Sequence, residues 1–216
     1  MPVVPPTAAL AGVPAGVQAN GLWIGRRQLF VRFAAEAETA TMYTPDALNG
    51  ELKRLVARST YHSISVSGRD PLANAGFLRA ALEKSTPAIP VMLDCDGQRP
   101  EAIGEVARYL KLVQVTLDGA PADSLMERAM ATLKSAAAAS VPHALVLAPE
   151  ENTTDGQILR VVTQAHLASA AAAVVVHPLA ETTEHDRRWL TFMEQAVAIH
   201  GDIRLIPRLS RPTGMR

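Results

Sequence analysis

Residues 90–117 read PVMLDCDGQRPEAIGEVARYLKLVQVTL, and the fold class follows from the change of period within them. Pro90–Leu93 is a short apolar run with the length of a buried strand, closed by the turn-forming DCDGQRP. Ile103, Val106, Ala107 and Leu110 then recur at three- and four-residue intervals, the spacing of one helix face. Leu112–Leu117 is a second apolar, β-branched run. Strand, helix and strand with no tight turn between them is a βαβ unit, which pairs its strands in parallel. The pattern repeats outward in both directions. Further runs stand at Gln28–Phe33, Ser63–Val66, Ala144–Leu147, Ala173–Val176 and Ile203–Ile206. Leu48, Leu52, Leu55 and Val56 form another helix face, as do Trp189, Phe192, Met193, Ala196 and Val197. Pro45-Asp46, Asp70-Pro71 and Asn152 to Asp155 are helix-entry signals. Six alternations predict a parallel sheet with its ligand site at the C-terminal strand ends, as an open sheet or a barrel-like curl.

The 216 residues are 48% hydrophobic, enough for one large domain with a sizeable core, and no Pro/Gly/Ser linker divides them. Residues 1–16 read as a Pro- and Ala-rich arm and 17–216 as a single domain. Lys plus Arg equals Asp plus Glu, so no basic excess points to nucleic acid. The N-terminal prolines interrupt the apolar stretch, and Leu167 to Val176 is too short to span a bilayer, so no membrane is expected and a soluble, cytoplasmic protein is. One cysteine, Cys95, excludes a disulfide framework and any multi-cysteine metal site within the chain.

Read together, the strand ends resemble a known family. QANGLWIGRRQLFVRFA (18–34), SISVSGRDPLANAGFL (63–78), IPVMLDCDG (89–97) and RLIPRLSRPTGMR (204–216) are similar to stretches of the 7-carboxy-7-deazaguanine synthases, in the family's order. These are radical-SAM lyases of the queuosine and deazapurine pathway. The resemblance implies a partial (β/α)6-type, TIM-like barrel.

The family's chemistry is mostly missing from the matching positions. Its members follow the first strand with C-x3-C-x2-C, whose thiolates hold three irons of a [4Fe–4S] cluster. Those positions fall here on Glu36, Ala40 and Tyr43, which offer hard oxygen or nothing to a soft cluster. The cofactor-binding Gly-Gly-Glu-Pro becomes Gly68-Arg69-Asp70-Pro71. Here Gly68 and Asp70 match the family and Arg69 adds a long cation. The substrate-binding Gln-Gly-Glu-Gly becomes Gln18-Ala19-Asn20-Gly21, and Gly25-Arg26 keeps the Arg that pairs with a substrate carboxylate. The Asp and Lys of Asp-Ile-Lys fall on Thr116 and Asp118, the closing Pro-Gln-x-His on Pro207 to Ser210, and Thr44 matches a Mg²⁺-ligating Thr. The resemblance therefore predicts no iron–sulfur cluster, and brings S-adenosylmethionine and Mg²⁺ only as family expectations.

Other residues have functional and plain readings side by side. Asp94 and Asp96, at a strand end, suit a cation or a ribose, though acids there more often cap the next turn. His177 suits acid–base work near neutral pH, or a hydrogen-bonded rim position. Cys95 has no activating neighbour in sequence and reads as a small core residue. His166, His185 and His200 lack metal-ligand spacing and read as exposed. Arg208 and Arg211 suit phosphate, but no Gly-rich loop accompanies them. Arg26, Arg69, Asp70, Asp94, Asp96 and Arg208 are expected around one cavity for a small polar, anionic or zwitterionic ligand, with Arg69 paired to Asp70, Asp94 or Asp96. Three functions are compatible with this. One is a non-catalytic or repurposed relative that keeps a pocket, as a homodimer or the partner of an active homologue. Another is a non-radical enzyme using Asp70, Asp94, Asp96, Asp118 and His177, with or without Mg²⁺. The last is retained deazapurine synthesis.

Overall fold

A computed structural model describes residues 6–84, 89–182 and 186–209. In chain order the elements are β1 (Ala8–Gly12), β2 (Ala15–Val17), β3 (Arg27–Phe33), β4 (Thr41–Tyr43), α1 (Pro45–Arg58), β5 (Ser63–Gly68), α2 (Ala75–Glu83), β6 (Val91–Cys95) and α3 (Ile103–Val106). They continue with β7 (Leu112–Asp118), α4 (Asp123–Ala138), β8 (His143–Ala148), α5 (Asp155–Ala168), β9 (Ala173–Val176), β10 (Glu181–Thr182), α6 (Arg187–Ile199), β11 (Ile203–Leu205) and β12 (Arg208–Leu209). All seven expected strand runs are strands.

The main sheet runs β11-β9-β8-β7-β6-β5-β3-β1-β4, with β2 paired to β3. From β3 to β11 every pairing is parallel and each strand lies beside the next one of that series. Right-handed crossovers made repeatedly in one direction place every helix on the same face. That face carries the main core: Leu29, Val31, Ile64, Val66, Leu93, Val113, Val115, Leu145, Leu147, Val174 and Val176 pack under Leu48, Leu52, Phe77, Leu133, Val162 and Phe192 of the helices.

The sheet is open, which corrects the barrel expected from the family resemblance. A barrel would close by pairing its last strand with the free side of β3. That side is taken by β1 and β2, antiparallel to β3, with β4 beyond β1. The stretch expected as an arm thus contributes two strands to the domain's own sheet.

Local sequence explains the helix ends. Thr44 caps α1, its hydroxyl accepting from Ala47 N at 3.2 Å. Thr154 and Gln157 form a reciprocal capping box at α5. The helix expected around Ile103 is a single α-turn continued by a 3-10 turn at Ala107–Tyr109, since Gly104 weakens it and Ile103, Val106 and Ala107 already bury its short face. Trp189, Phe192 and Ala196 of α6 are buried as expected, while Val197 is exposed.

Candidate functional site: an acid-lined cleft on the bare face of the sheet

Because the helices share one face, the other is free of helices among the described residues, and part of it is covered by a loop. Along β5, β6 and β7 every second residue faces that side, and toward the C-terminal ends and along all of β5 these residues are polar: Ser63, Ser65, Ser67; Asp94; Gln114, Thr116. Such a pattern inside otherwise apolar strands is the signal that sequence inspection passed over. Deeper on this face Met92, Leu112, Ala144 and Ala173 form a small apolar patch covered by Leu22 and Trp23.

Those two residues belong to the β2–β3 connection, Gln18–Arg26. Its backbone bonds to itself, Gln18 N to Arg26 O at 2.9 Å and Gly25 N to Gln18 O at 2.9 Å. Gly21 has φ +74° and lies so close to the sheet that a Cβ there would stand 1.8 Å from Gln114 Oε1. Any other residue there must displace the Gln114 side chain or the loop, and φ +74° strains it in addition. Asn20 Oδ1 accepts from Gln18 Nε2 at 3.0 Å and from Gln114 Nε2 at 3.3 Å.

At the C-terminal ends of β5–β7, Asn20, Ser67, Gly68, Asp94, Cys95, Asp96 and Thr116 line a cleft of about 260 Å³. Asp94 keeps part of its surface open to this space while its carboxyl is surrounded by protein. Burial pushes its pKa above the usual carboxylate value, against the lowering effect of hydrogen bonds from Thr116, Gln114 and Gln18. Thr116 Oγ1 donates to Asp94 Oδ1 at 2.9 Å. Asp96 accepts from Gln98 N at 3.2 Å and so shapes the following turn. The Cys95 thiol is pushed up to about 12 by burial, fitting a core residue.

The single cavity expected from sequence is two. Arg69 and Asp70 line a neighbouring cleft of about 460 Å³ with Glu36, Glu38, Ala40 and small residues of β1 and β3–β4. Arg69 pairs with Glu36 at 3.9 Å, not with Asp70, Asp94 or Asp96. Arg99 reaches Asp70 first, Nε to Oδ2 at 2.7 Å, and holds a residue in the left-handed region, φ 41° and ψ 61°. Arg26 is exposed at the N-terminal end of β3, opposite the strand ends that make the cleft. Arg208 lies in β12 with its side chain outside the described residues, as are Arg211 and His185.

The remaining candidates are dispersed. Asp118 is exposed at the end of β7. His177 Nδ1 is buried without a partner just after β9, but His177 does not line the cleft. His166 is exposed as expected, whereas His200 is buried. It follows α6, where its Nε2 lies 2.6 Å from Ala172 O and its Nδ1 3.3 Å from His166 Nδ1. Among the described residues no three His, Cys, Asp or Glu side chains are placed to hold a metal ion. Thr44, the Mg²⁺ position of the resemblance, is occupied as a helix cap.

The residues at the positions that the resemblance assigns to the cluster do not fit an iron–sulfur centre. Glu36 faces Arg69, Ala40 has no donor atom, and the Tyr43 hydroxyl donates to Glu51 at 2.6 Å, which is also the main reason its pKa is raised. Gly68 is explained by packing, since with φ +99° a Cβ would fall 2.2 Å from Phe33 O.

Comparison with known proteins agrees with the resemblance in part. A 7-carboxy-7-deazaguanine synthase of Methanothermobacter thermautotrophicus is 27% identical over 124 residues, covering 51% of this chain and 49% of that protein. The chain is distantly related to that synthase. The match spans about half the length of either protein. No family model matches. A solved structure, an isomerase from Streptomyces coelicolor A3(2), aligns at 12% identity with a TM-score of 0.34, over 78% of this chain and 50% of that one, a likeness that carries no argument. Among the described residues no helix is long and apolar enough to cross a membrane.

Proposed function

We propose that this chain is a non-radical, degenerate relative of 7-carboxy-7-deazaguanine synthase that has kept a small-molecule cleft and lost the cluster. The observation that carries this is the fate of positions 36, 40 and 43. One side chain is ion-paired, one is a methyl group, and one is a phenol bound to Glu51. None supplies the thiolate that a [4Fe–4S] cluster requires, and the chain's one thiol, Cys95, is packed in the core. The cofactor position fares no better, because the Asp70 carboxylate that would receive an amino group is already held by Arg99.

What the cleft would take follows from its lining. Two carboxylates and several hydroxyl and amide groups face it, with no Lys or Arg. A ligand that donates hydrogen bonds or carries positive charge suits it better than the anion expected from sequence. Calorimetry with benzamidine and benzoate, alike in size and opposite in charge, tests this. Benzamidine heat that disappears in Asp94→Asn is expected, and preferential uptake of benzoate would refute the ligand class. Anaerobic treatment with iron and sulfide should leave the protein without cluster absorption near ~400 nm. Stoichiometric iron and sulfide retained on a sizing column would refute the non-radical reading.

One observation favours a second reading, a non-radical enzyme. A cleft carboxyl with a raised pKa, hydrogen-bonded to Thr116, is suited to exchanging protons with a bound ligand. In that reading Asp94 is the acid–base group.

A further inference from the structure

The loop over the bare face and the groups beneath it lead beyond the cleft itself. Gln28 Oε1, Ser65 Oγ and Gln114 Oε1 are buried without hydrogen-bond partners, and their residues are fully covered. Each such acceptor is destabilising while it stays unpaired. All three project from the same helix-free face, Gln114 directly under Gly21. Side chains attach the cover to the sheet. Backbone hydrogen bonds of residues 18–26 close within the segment. The segment meets the sheet through Leu22 and Trp23 on the apolar patch, through Asn20 on Gln114, through a hydrogen bond from Gln18 to Asp94, and through an edge-to-face contact of Trp23 with His62 at 5.0 Å. Gly25, at φ +77° with nothing within 4 Å of a Cβ, lies at the end of the segment where it rejoins β3.

We propose that Gln18–Arg26 is a lid over the binding face, held shut by Gly21 against Gln114 and by the Trp23 ring on Met92, Leu112, Ala144 and Ala173. Lifting it extends the acid-lined cleft across the face, exposes the three unpaired acceptors to a ligand's donors, and clears an apolar floor for the ligand's body. The ligand class rests on the function proposed above, whereas the movement of the lid can be read without any ligand.

The experiment uses Trp189→Phe, which leaves Trp23 as the sole tryptophan. Adding Gly21→Ala should disfavour closure, because the new methyl meets the buried Gln114 amide and φ +74° strains an alanine. Trp23 emission should shift to the red, acrylamide quenching should rise by at least about twofold, and amides 18–26 should exchange faster while those of β5–β8 keep their protection. Adding Gln114→Ala, which removes the obstructing amide, should restore the closed signals in part, since residue 21 keeps φ +74° and Asn20 loses its partner. Unchanged Trp23 emission and quenching in Gly21→Ala would overturn the lid. So would sheet amides that accelerate together with the loop, since the segment would then be an integral part of the fold. A protein that fails to bind benzamidine but shows these lid signals refutes the ligand class alone.

Discussion

Replacing Gly68 with alanine separates what the fold requires from what the resemblance suggests. Gly68 matches a cofactor-binding glycine, but its backbone has φ +99° and an added Cβ would lie 2.2 Å from Phe33 O and 2.7 Å from Phe33 N. Both obstacles are main chain, so no rotamer change relieves them, and Arg69 N donates to the same carbonyl at 3.1 Å. The positive φ costs an alanine about 1–2 kcal/mol. Forcing β5 away from β3 adds an overpacking cost of about 1–3 kcal/mol, because the register Phe33↔Gly68 ends the ladder at this point. The expected loss is about 2–5 kcal/mol, a large share of the roughly 5–15 kcal/mol that holds a domain together. At about 2–4 °C per kcal/mol for a chain of this size, Tm should fall by roughly 4–20 °C. Urea unfolding followed by circular dichroism at equal m-value measures it. A loss below about 0.5 kcal/mol, the usual range for an unconstrained surface change, would show that the close approach to Phe33 does not constrain position 68.

Three further outcomes follow from the same structure. Asp94 has a folded pKa raised by burial, so the stability it contributes is fully present below its unfolded pKa, about 4, and is lost as pH rises through the folded value. The stability of wild type relative to Asp94→Asn should therefore fall as pH rises above about 4, and a difference independent of pH would refute the burial of that carboxyl. Trp189 packs edge-to-face on Phe192 at 5.6 Å and is 6% exposed, so Trp189→Asp should cost about 4 kcal/mol or more in a denaturation curve. An unchanged curve would remove Trp189 from the core. Cys95, with a pKa near 12, should react with a thiol reagent at pH 8 at least a hundredfold more slowly than free cysteine until the protein is unfolded. Rapid modification of the native protein would contradict its burial.

Local pattern determined much of this protein. The seven runs later found as strands, the face of α1 and most of the face of α6 were legible because period and composition are properties of short segments. The absence of cluster thiolates was equally legible, since one cysteine cannot supply three. Closure and the grouping of charges were not, because both depend on which segments meet. Residues 8–17 carry no signal that they will occupy the free side of β3, yet that pairing is what leaves the sheet open. Arg99, 29 residues from Asp70, reaches its carboxylate first and leaves Arg69 to Glu36, so the expected shared cavity divides into two. Gln114, read as one more strand residue, becomes the point on which the Gly21 loop rests, 94 residues from its partner Asn20. Side-chain type is written locally, but a site is a distance between elements, and those distances were fixed only when repeated right-handed crossovers put every helix on one face and left the other for the cleft.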